Sequence, residues 1–420
     1  MQSLLQNILL FTILQATFLT STLYAQFAGG KGTKEDPYQI ASTSHLLLVR
    51  NYLDRHFVQV QNFDAGGITD YFPIGNVSNP FSGTFDGAGK SISNLTITYC
   101  PACGVLPSGL FGVLDGGVIK NVTLLDVNIN ENDIAGSLVG RNMGQIINCS
   151  AEGKLSGRNY AGGLVGYNEG QIIDSRSEVT VSGKKSVGGL AGYNRGTIRN
   201  SYASGPVTGE EETGGLVGTN LDRALIATSY ARGQVAGNDE AGGLIGYNGA
   251  VVELGYWDME TSGRERGIGT GNRDGALGLT SSQMTGASAY YHMSDFDFQS
   301  TWLLTENYPA LHWEDVQTID LPTNAERVDA DVPDAFELRQ NYPNPFNPAT
   351  QITFALPEPA HVRLDVHSLC GRQVAVLVDR HKSAGWHHVT FDAAALSSGI
   401  YLYRLTSDGY AQTRKMLLIR

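Results

Sequence analysis

Only four cysteines, nine histidines and 14 prolines occur among 420 residues. Four cysteines are too few for a disulfide-built scaffold of this size. Residues 26–313 hold just His45, His56, His292 and His312. No H-E-x-x-H, no G-x-S-x-G elbow and no phosphate-binding loop is found. The sequence thus lacks the marks of a zinc peptidase, an α/β-hydrolase or a P-loop nucleotide binder. The formal net charge is −12 and no region forms a basic stripe, which argues against nucleic-acid binding. Beyond the first 25 residues no apolar run could cross a membrane as a helix.

Glycine, by contrast, is in excess at 51 residues, about 12% against a usual level of roughly 7%. No collagen period accompanies it, so the glycines mark turns and the chain is expected to be mostly β. Hydrophobic residues at 41% and charged residues at 17% define a globular composition.

Residues 1–25 carry no charge, contain an apolar stretch from Ile8 to Leu19 and end Leu23-Tyr24-Ala25. They read as a secretory signal peptide cut after Ala25, with a membrane anchor as the alternative. In an exported chain Cys100-Pro101-Ala102-Cys103 is expected to close a local disulfide, because neither a thioredoxin setting nor a second zinc-ligand pair is present.

The central third repeats itself. Leu110, Leu138, Leu164, Leu190, Leu216 and Leu244 each sit in a Gly/Ser-Leu-x-Gly motif, spaced by 28, 26, 26, 26 and 28 residues. Aligned on these leucines, Ile119, Ile146, Ile172, Ile198, Ile226 and Val252 form a second apolar column. Ile129, Leu155, Val181, Val207 and Val235 form a third. Three apolar positions per repeat, divided by turn residues, cannot bury themselves alone. Stacked on copies of themselves they can. The expectation is an all-β fold: a parallel β-helix with three strands per coil, successive coils about 4.8 Å apart.

Polar columns follow the same register. Asn142, Asn168, Asn194, Asn220 and Asn248 lie four residues after the leucines, where stacked amides can bond as a ladder. Cys149 aligns with Ser175, Ser201 and Ser229, a small packed position. Tyr167, Tyr193 and Tyr247 precede three of the asparagines. They are candidate sugar-binding residues if exposed, and an aromatic ladder otherwise.

The repeats resemble the GLUG family. The likeness extends upstream to Gly32-Thr33-Lys34-Glu35-Asp36-Pro37-Tyr38-Gln39-Ile40 and downstream through Tyr256-Trp257-Asp258 to Tyr308-Pro309-Ala310-Leu311. It implies a β-solenoid over residues 26–313, with clear repeats in 109–255, on a bacterial surface or secreted protein. The likeness does not imply one activity.

Residues 314–335 are acidic, contain Pro322 and Pro333, and read as a linker. From Phe336 onward alternating strands separated by turns suggest an immunoglobulin-like β-sandwich. Asn341-Tyr342-Pro343-Asn344-Pro345-Phe346-Asn347-Pro348, Leu396-Ser397-Ser398-Gly399-Ile400-Tyr401 and Lys415-Met416-Leu417-Leu418-Ile419 resemble a type A sorting domain of the type IX secretion system. That resemblance implies recognition through Gly399, Tyr401 and Lys415 and cleavage in the linker. It implies the secretion translocon and sortase as partners, with surface lipopolysaccharide as an acceptor. The protein would pass through the periplasm and finish secreted or on the outer-membrane surface.

Two functions remain open on sequence: an adhesin-like protein that binds an extracellular glycan or protein, and a carbohydrate-active lyase or hydrolase. The carboxylates available to the second are Asp174, Glu178, Glu210, Glu211, Glu212, Asp239 and Glu240. The acidic corners at 210–212 and 239–240 could also stack into a Ca²⁺ site. No other cofactor is indicated. The Gly-rich loop 263–278 carries Arg264, Arg266 and Arg273 and could meet an anion.

Overall fold

The computed structural model describes residues 27–419, apart from 69–70, 99–106, 239, 294, 322–332, 334, 342–343, 359, 383 and 408. The expected leader, the Cys100/Cys103 pair and much of the linker lie outside these residues. The described chain forms two compact units, one ending at Gly278 and one from Leu279.

One coil shows how the sequence builds the first unit. Leu164 leads into β1 (Val165–Asn168), followed by β2 (Gln171–Ile173), β3 (Arg176–Ser182) and β4 (Lys185–Gly188). The leucine column precedes β1, Ile172 lies on β2 and Val181 on β3. The short fourth segment closes the coil before Leu190. Its inward Val187 has Ala161 and Thr213 beside it in register, a column too mixed to stand out as apolar. About eight such turns occupy residues 56–271, so the solenoid runs beyond the clear repeats in both directions.

The columns are continuous parallel ladders. Ile146 pairs with Ile172, Ile172 with Ile198 and Ile198 with Ile226. Leu155 pairs with Val181, Val181 with Val207 and Val207 with Val235. The motif leucines from Leu110 to Leu244 are fully buried. Backbone hydrogen bonds tie them together: Leu164 N–H donates to the Leu190 carbonyl at 2.9 Å and Leu190 N–H to the Leu216 carbonyl at 2.8 Å. Each buried leucine contributes about 1.5–3 kcal/mol. The glycine after each motif leucine is forced by space: a Cβ on Gly192 would stand 2.6 Å from the Ala161 nitrogen.

The asparagine column is a buried amide ladder. Asn142 Nδ2 donates to Asn168 Oδ1 at 2.7 Å, Asn168 to Asn194 at 2.7 Å, Asn194 to Asn220 at 2.8 Å and Asn220 to Asn248 at 2.8 Å. Buried amides must be paired, and here each is paired by its own copy one coil away. The Cys149 column behaves likewise, with Cys149 N–H donating to Ser175 Oγ at 3.1 Å and Ser175 N–H to Ser201 Oγ at 3.2 Å.

A third polar row stands at the corner between β2 and β3, where the backbone is left-handed. Asn121, Asn148, Asp174 and Asn200 occupy it at φ of 54°, 53°, 49° and 49°. Asn and Asp tolerate this conformation best after glycine. Asn200 Nδ2 donates to Asp174 Oδ1 at 3.0 Å. Thr228 and Leu254 continue the row at φ of 44° and 59°, where such side chains are strained.

Both ends of the array are covered. Phe27 stacks on Tyr38 with ring centroids 4.3 Å apart and meets Phe57 at 5.7 Å, closing the first coil. At the other end Trp257 Nε1 donates to the Arg264 carbonyl at 3.0 Å, and Asp258 caps the short helix Met259–Ser262.

The second unit opens with a small module. The helix Gly286–His292 and the hairpin Trp302–Leu303/Ala310–Leu311 bury Met284, Met293, Phe296 and Trp302. Residues 279–313, grouped with the repeats by sequence, therefore lie in this unit. An antiparallel β-sandwich follows. One sheet holds Glu337–Leu338, Ala349–Leu356 and Gly385–Asp392, and the other Gln373–Lys382, Ala360–Ser368, Gly399–Ser407 and Tyr410–Leu418. Leu338, Ile352, Phe354, Val362, Leu364, Tyr403 and Leu405 fill the space between them.

Candidate binding face and sorting domain

β1 and its counterparts set one side chain per coil in a row beside the core columns, buried at Val113 and Thr219 and open to solvent at the tyrosines. In register order that row is Val113, Arg141, Tyr167, Tyr193, Thr219, Tyr247 and Thr270. Tyr167 and Tyr193 stack with centroids 4.9 Å apart and planes 4° from parallel. Tyr160 meets both edge-on, at 5.6 and 5.2 Å. The Arg141 guanidinium lies 5.6 Å from the Tyr167 ring centre, within cation–π range. Tyr167 thus has Tyr193 on one side and Arg141 on the other, so its flat faces are largely occupied. What solvent meets is mainly its edge and hydroxyl.

Tyr247 stands apart. Thr219 occupies the rung between it and Tyr193 and is buried against Ser186 and Glu212. Thr219 Oγ1 donates to Glu212 Oε2 at 2.6 Å and lies 2.9 Å from Ser186 Oγ.

A row of alternating charge borders the tyrosines. Arg141 Nη2 lies 2.6 Å from Glu169 Oε2, Arg195 Nη1 lies 4.0 Å from Glu169 Oε1, and Arg195 Nε lies 2.5 Å from Asp222 Oδ2. Arg195 Nη1 also donates to the Tyr167 hydroxyl at 3.3 Å. That hydrogen bond, with the neighbouring Tyr167 and Asp222, holds Arg195 firmly protonated. Burial raises the Tyr193 phenol above its ordinary range, so it stays neutral at physiological pH. Sequence reasoning picked out Tyr167 and Tyr193 but missed Tyr160, Arg141, Glu169 and Arg195. They come from three coils and carry no common residue type.

Next to this row runs a groove of about 510 Å³, lined by Gln145, Glu169, Gln171, Arg195, Thr197 and Arg223 and by turn glycines.

Of the candidate catalytic carboxylates, Asp174, Glu178, Glu211 and Glu212 are each engaged by a neighbouring side chain, the last two sharing Lys185. Asp174 accepts from Asn200 in the corner ladder, Glu178 pairs with Arg176, and Glu211 and Glu212 lie 3.7 and 3.6 Å from Lys185. Asp239 is outside the described residues. Among the described residues no three His, Cys, Asp or Glu side chains converge as a metal set would. Arg264 donates to the carbonyls of Val235, Asn238 and Gly237, which makes it a brace rather than an open anion site.

In the sandwich, Gly399 pairs with Leu418, Tyr401 with Met416 and Leu402 with Lys415, so the three sorting residues share the last two strands. Lys415 is exposed. Tyr401 is in the core, its hydroxyl donating to the Ser397 carbonyl at 2.9 Å.

Fold and face together define a class: a repeat protein with a stacked β-solenoid and a C-terminal β-sandwich. Comparisons with known families give the particulars. The GLUG motif matches residues 132–156, 157–182 and 183–208. The secretion system C-terminal sorting domain matches residues 340–419. The chain carries GLUG repeats and a type IX sorting domain, and is exported to the cell surface or the extracellular space. The sorting domain implies contact with the type IX machinery.

The chain is similar to a putative Gly-rich membrane protein of Evansella cellulosilytica, 38% identical over 137 residues, and to halomucin of Haloquadratum walsbyi, 33% identical over 143. These matches cover 30% and 31% of this chain but only 16% and 2% of those proteins. No solved structure matches the chain.

Proposed function

We propose that the solenoid is an adhesin-like binding module that takes an extracellular glycan on the face around Tyr167 and Tyr193. The observation that carries this reading is the cluster of outward-facing aromatic, guanidinium and carboxylate groups on neighbouring coils. Aromatic and bidentate polar groups on a rigid scaffold suit the recognition of sugar hydroxyls. Catalysis on the same scaffold would need paired carboxylates. Among the sequence candidates Asp174 and Glu178 have partners of their own, and the adjacent Glu211 and Glu212 share Lys185, which favours binding.

The direct test is a glycan-binding screen of the full chain beside turnover assays on the same polysaccharides, with and without Ca²⁺. Tyr167→Ala with Tyr193→Ala should abolish glycan capture. Release of product would replace this reading with the carbohydrate-active enzyme.

For delivery, residues 1–25 would open the route to the periplasm. The sorting domain would be read at the outer membrane through its final strands, with Lys415 as the surface contact and Gly399 and Tyr401 acting through the fold they maintain. A sortase would cut within 314–335 and pass the passenger to lipopolysaccharide. Deleting residues 399–420 should hold a folded passenger in the periplasm, measured by cell fractionation. Normal amounts of the truncated form outside the cell would refute this route.

A further inference from the structure

The groove beside the tyrosines points to a ligand class. Its lining comes from successive coils at one position of the repeat: Val118, then Gln145, then Gln171, then Thr197, with Arg223 at the far end. A row of this kind runs along the solenoid axis, across the strands. Four rungs at about 4.8 Å each extend over roughly 14 Å. The groove is therefore long and narrow.

Turn glycines line it beside the half-buried Met143. Gly144, Gly170 and Gly196 turn each coil, and a Cβ on any of them would meet a carbonyl of the coil below, at 2.3, 2.2 and 2.1 Å. Gln145 and Gln171 stand exposed on the wall. Their side chains make no hydrogen bond among the described residues, so each offers a donor pair and an acceptor to a ligand. The opposite wall is ionic and its pairs balance one another, leaving Arg223 at the far end as the one lining charge with no ion pair among the described residues. Glu169 is engaged by Arg141 and Arg195, and Arg195 by Asp222. An acidic polymer could meet Arg223 at that one end but would have to break those pairs along the rest, whereas a neutral one rich in hydroxyls can bond to their outer lone pairs and N–H groups.

We infer that the groove takes a neutral polysaccharide in extended form, lying parallel to the coil axis, with the amides of Gln145 and Gln171 reading hydroxyls one coil apart. This rests on the glycan-binding reading above and specifies its ligand. The edge of Tyr167, tethered through its hydroxyl to Arg195, forms the rim.

The test uses the full chain and neutral oligosaccharides of two to eight units, beside uronate-bearing and sulfated chains of the same lengths, by calorimetry. Affinity for the neutral series should rise with length and level off once the chain spans the groove. Gln145→Ala with Gln171→Ala should weaken it roughly tenfold or more, as expected for two lost neutral hydrogen bonds. Thermal stability should stay unchanged, because both side chains are exposed. Neutral glycans that bind with no loss in the double variant would overturn the groove assignment and leave the glycan reading intact. Preference for the acidic series would overturn the neutral class. Failure of every glycan to bind would remove both.

Discussion

In the solenoid the leucine, isoleucine and asparagine rows repeat from coil to coil, and in the sorting sandwich almost no row does. Leu164, Asn168 and Ile172 each meet near-copies of themselves above and below. The sandwich is instead closed by single contacts between residues far apart in sequence. The Asn341 N–H donates to the Tyr403 hydroxyl at 2.8 Å, that hydroxyl donates to the Arg339 carbonyl at 2.8 Å, and Phe346 bridges to Leu418. A stack of like coils is held by nearest-neighbour terms, so a lesion should matter most at its centre. A sandwich closed by its last strand is complete or not formed. That difference suits the proposed division of tasks, an extended surface for one and an all-or-none address for the other.

The harshest way to break the comparison is Leu190→Asp. It would place an unpaired carboxylate in a fully buried row with coils on both sides. The expected cost is about 4 kcal/mol or more, read as collapse of the solenoid transition in thermal unfolding followed by circular dichroism. Val252→Asp, near the end of its column and 8% exposed, should cost clearly less. Equal losses at the two sites would contradict nearest-neighbour coupling.

A milder break is Asn194→Ala. It removes the acceptor of Asn168 and the donor to Asn220 together, and the Gly196 N–H loses its partner at 3.2 Å. Leaving buried amide groups unpaired should cost about 2–3 kcal/mol. In the sandwich, Asn341 Nδ2 donates to Thr350 Oγ1 at 2.9 Å and its Oδ1 accepts from Gln340 Nε2 at 2.7 Å, but it belongs to no ladder of like residues. Asn341→Ala should therefore lose less. Chemical denaturation of both variants gives the comparison directly, and a larger loss for Asn341→Ala would show that stacking adds nothing to the amide row.

What the sequence disclosed was whatever repeats with one chemistry. Leucine, isoleucine and asparagine columns were legible because each position demands one residue type in every coil. The fourth strand segment was not, because Ala161, Val187 and Thr213 fill the same inward place with different groups. The corner row of Asn121, Asn148, Asp174 and Asn200 did leave a signal, an amide or carboxylate two residues after each of the first four column isoleucines. Its meaning lies in a left-handed backbone, which spacing does not reveal. The binding face was half legible. Three tyrosines stood out, but only the structure shows that Thr219 serves a buried hydroxyl–carboxylate cluster and so isolates Tyr247. The Arg141–Glu169 pair joins residues 28 apart whose chemistry does not recur. In the sorting domain the motif named Tyr401, while its place in the core depends on strand pairing.

The gentlest probe leaves the fold intact and reads each region through its own free thiol. Cys149 is buried in the coil, with Sγ 3.2 Å from the Ile147 carbonyl, and burial pushes its pKa up to about 12. Cys370 is exposed, and the Ser368 hydroxyl 3.1 Å from its sulfur helps hold its thiol below the ordinary value of 9.0. The thiolate is the reacting species. Alkylation of Cys370 should therefore rise with pH and level off earlier than for a free cysteine, while Cys149 stays unmodified throughout the neutral range. Peptide mass mapping after brief alkylation at pH 8 distinguishes the two sites. Equal labelling of the native protein would mean that the serine–cysteine column is open to solvent, against the buried ladder described above. The same measurement on Leu190→Asp then sharpens the contrast between the regions. Damage that spreads from coil to coil should unmask Cys149, whereas Cys370, in a sandwich with its own core, should label at the rate seen in the parent protein.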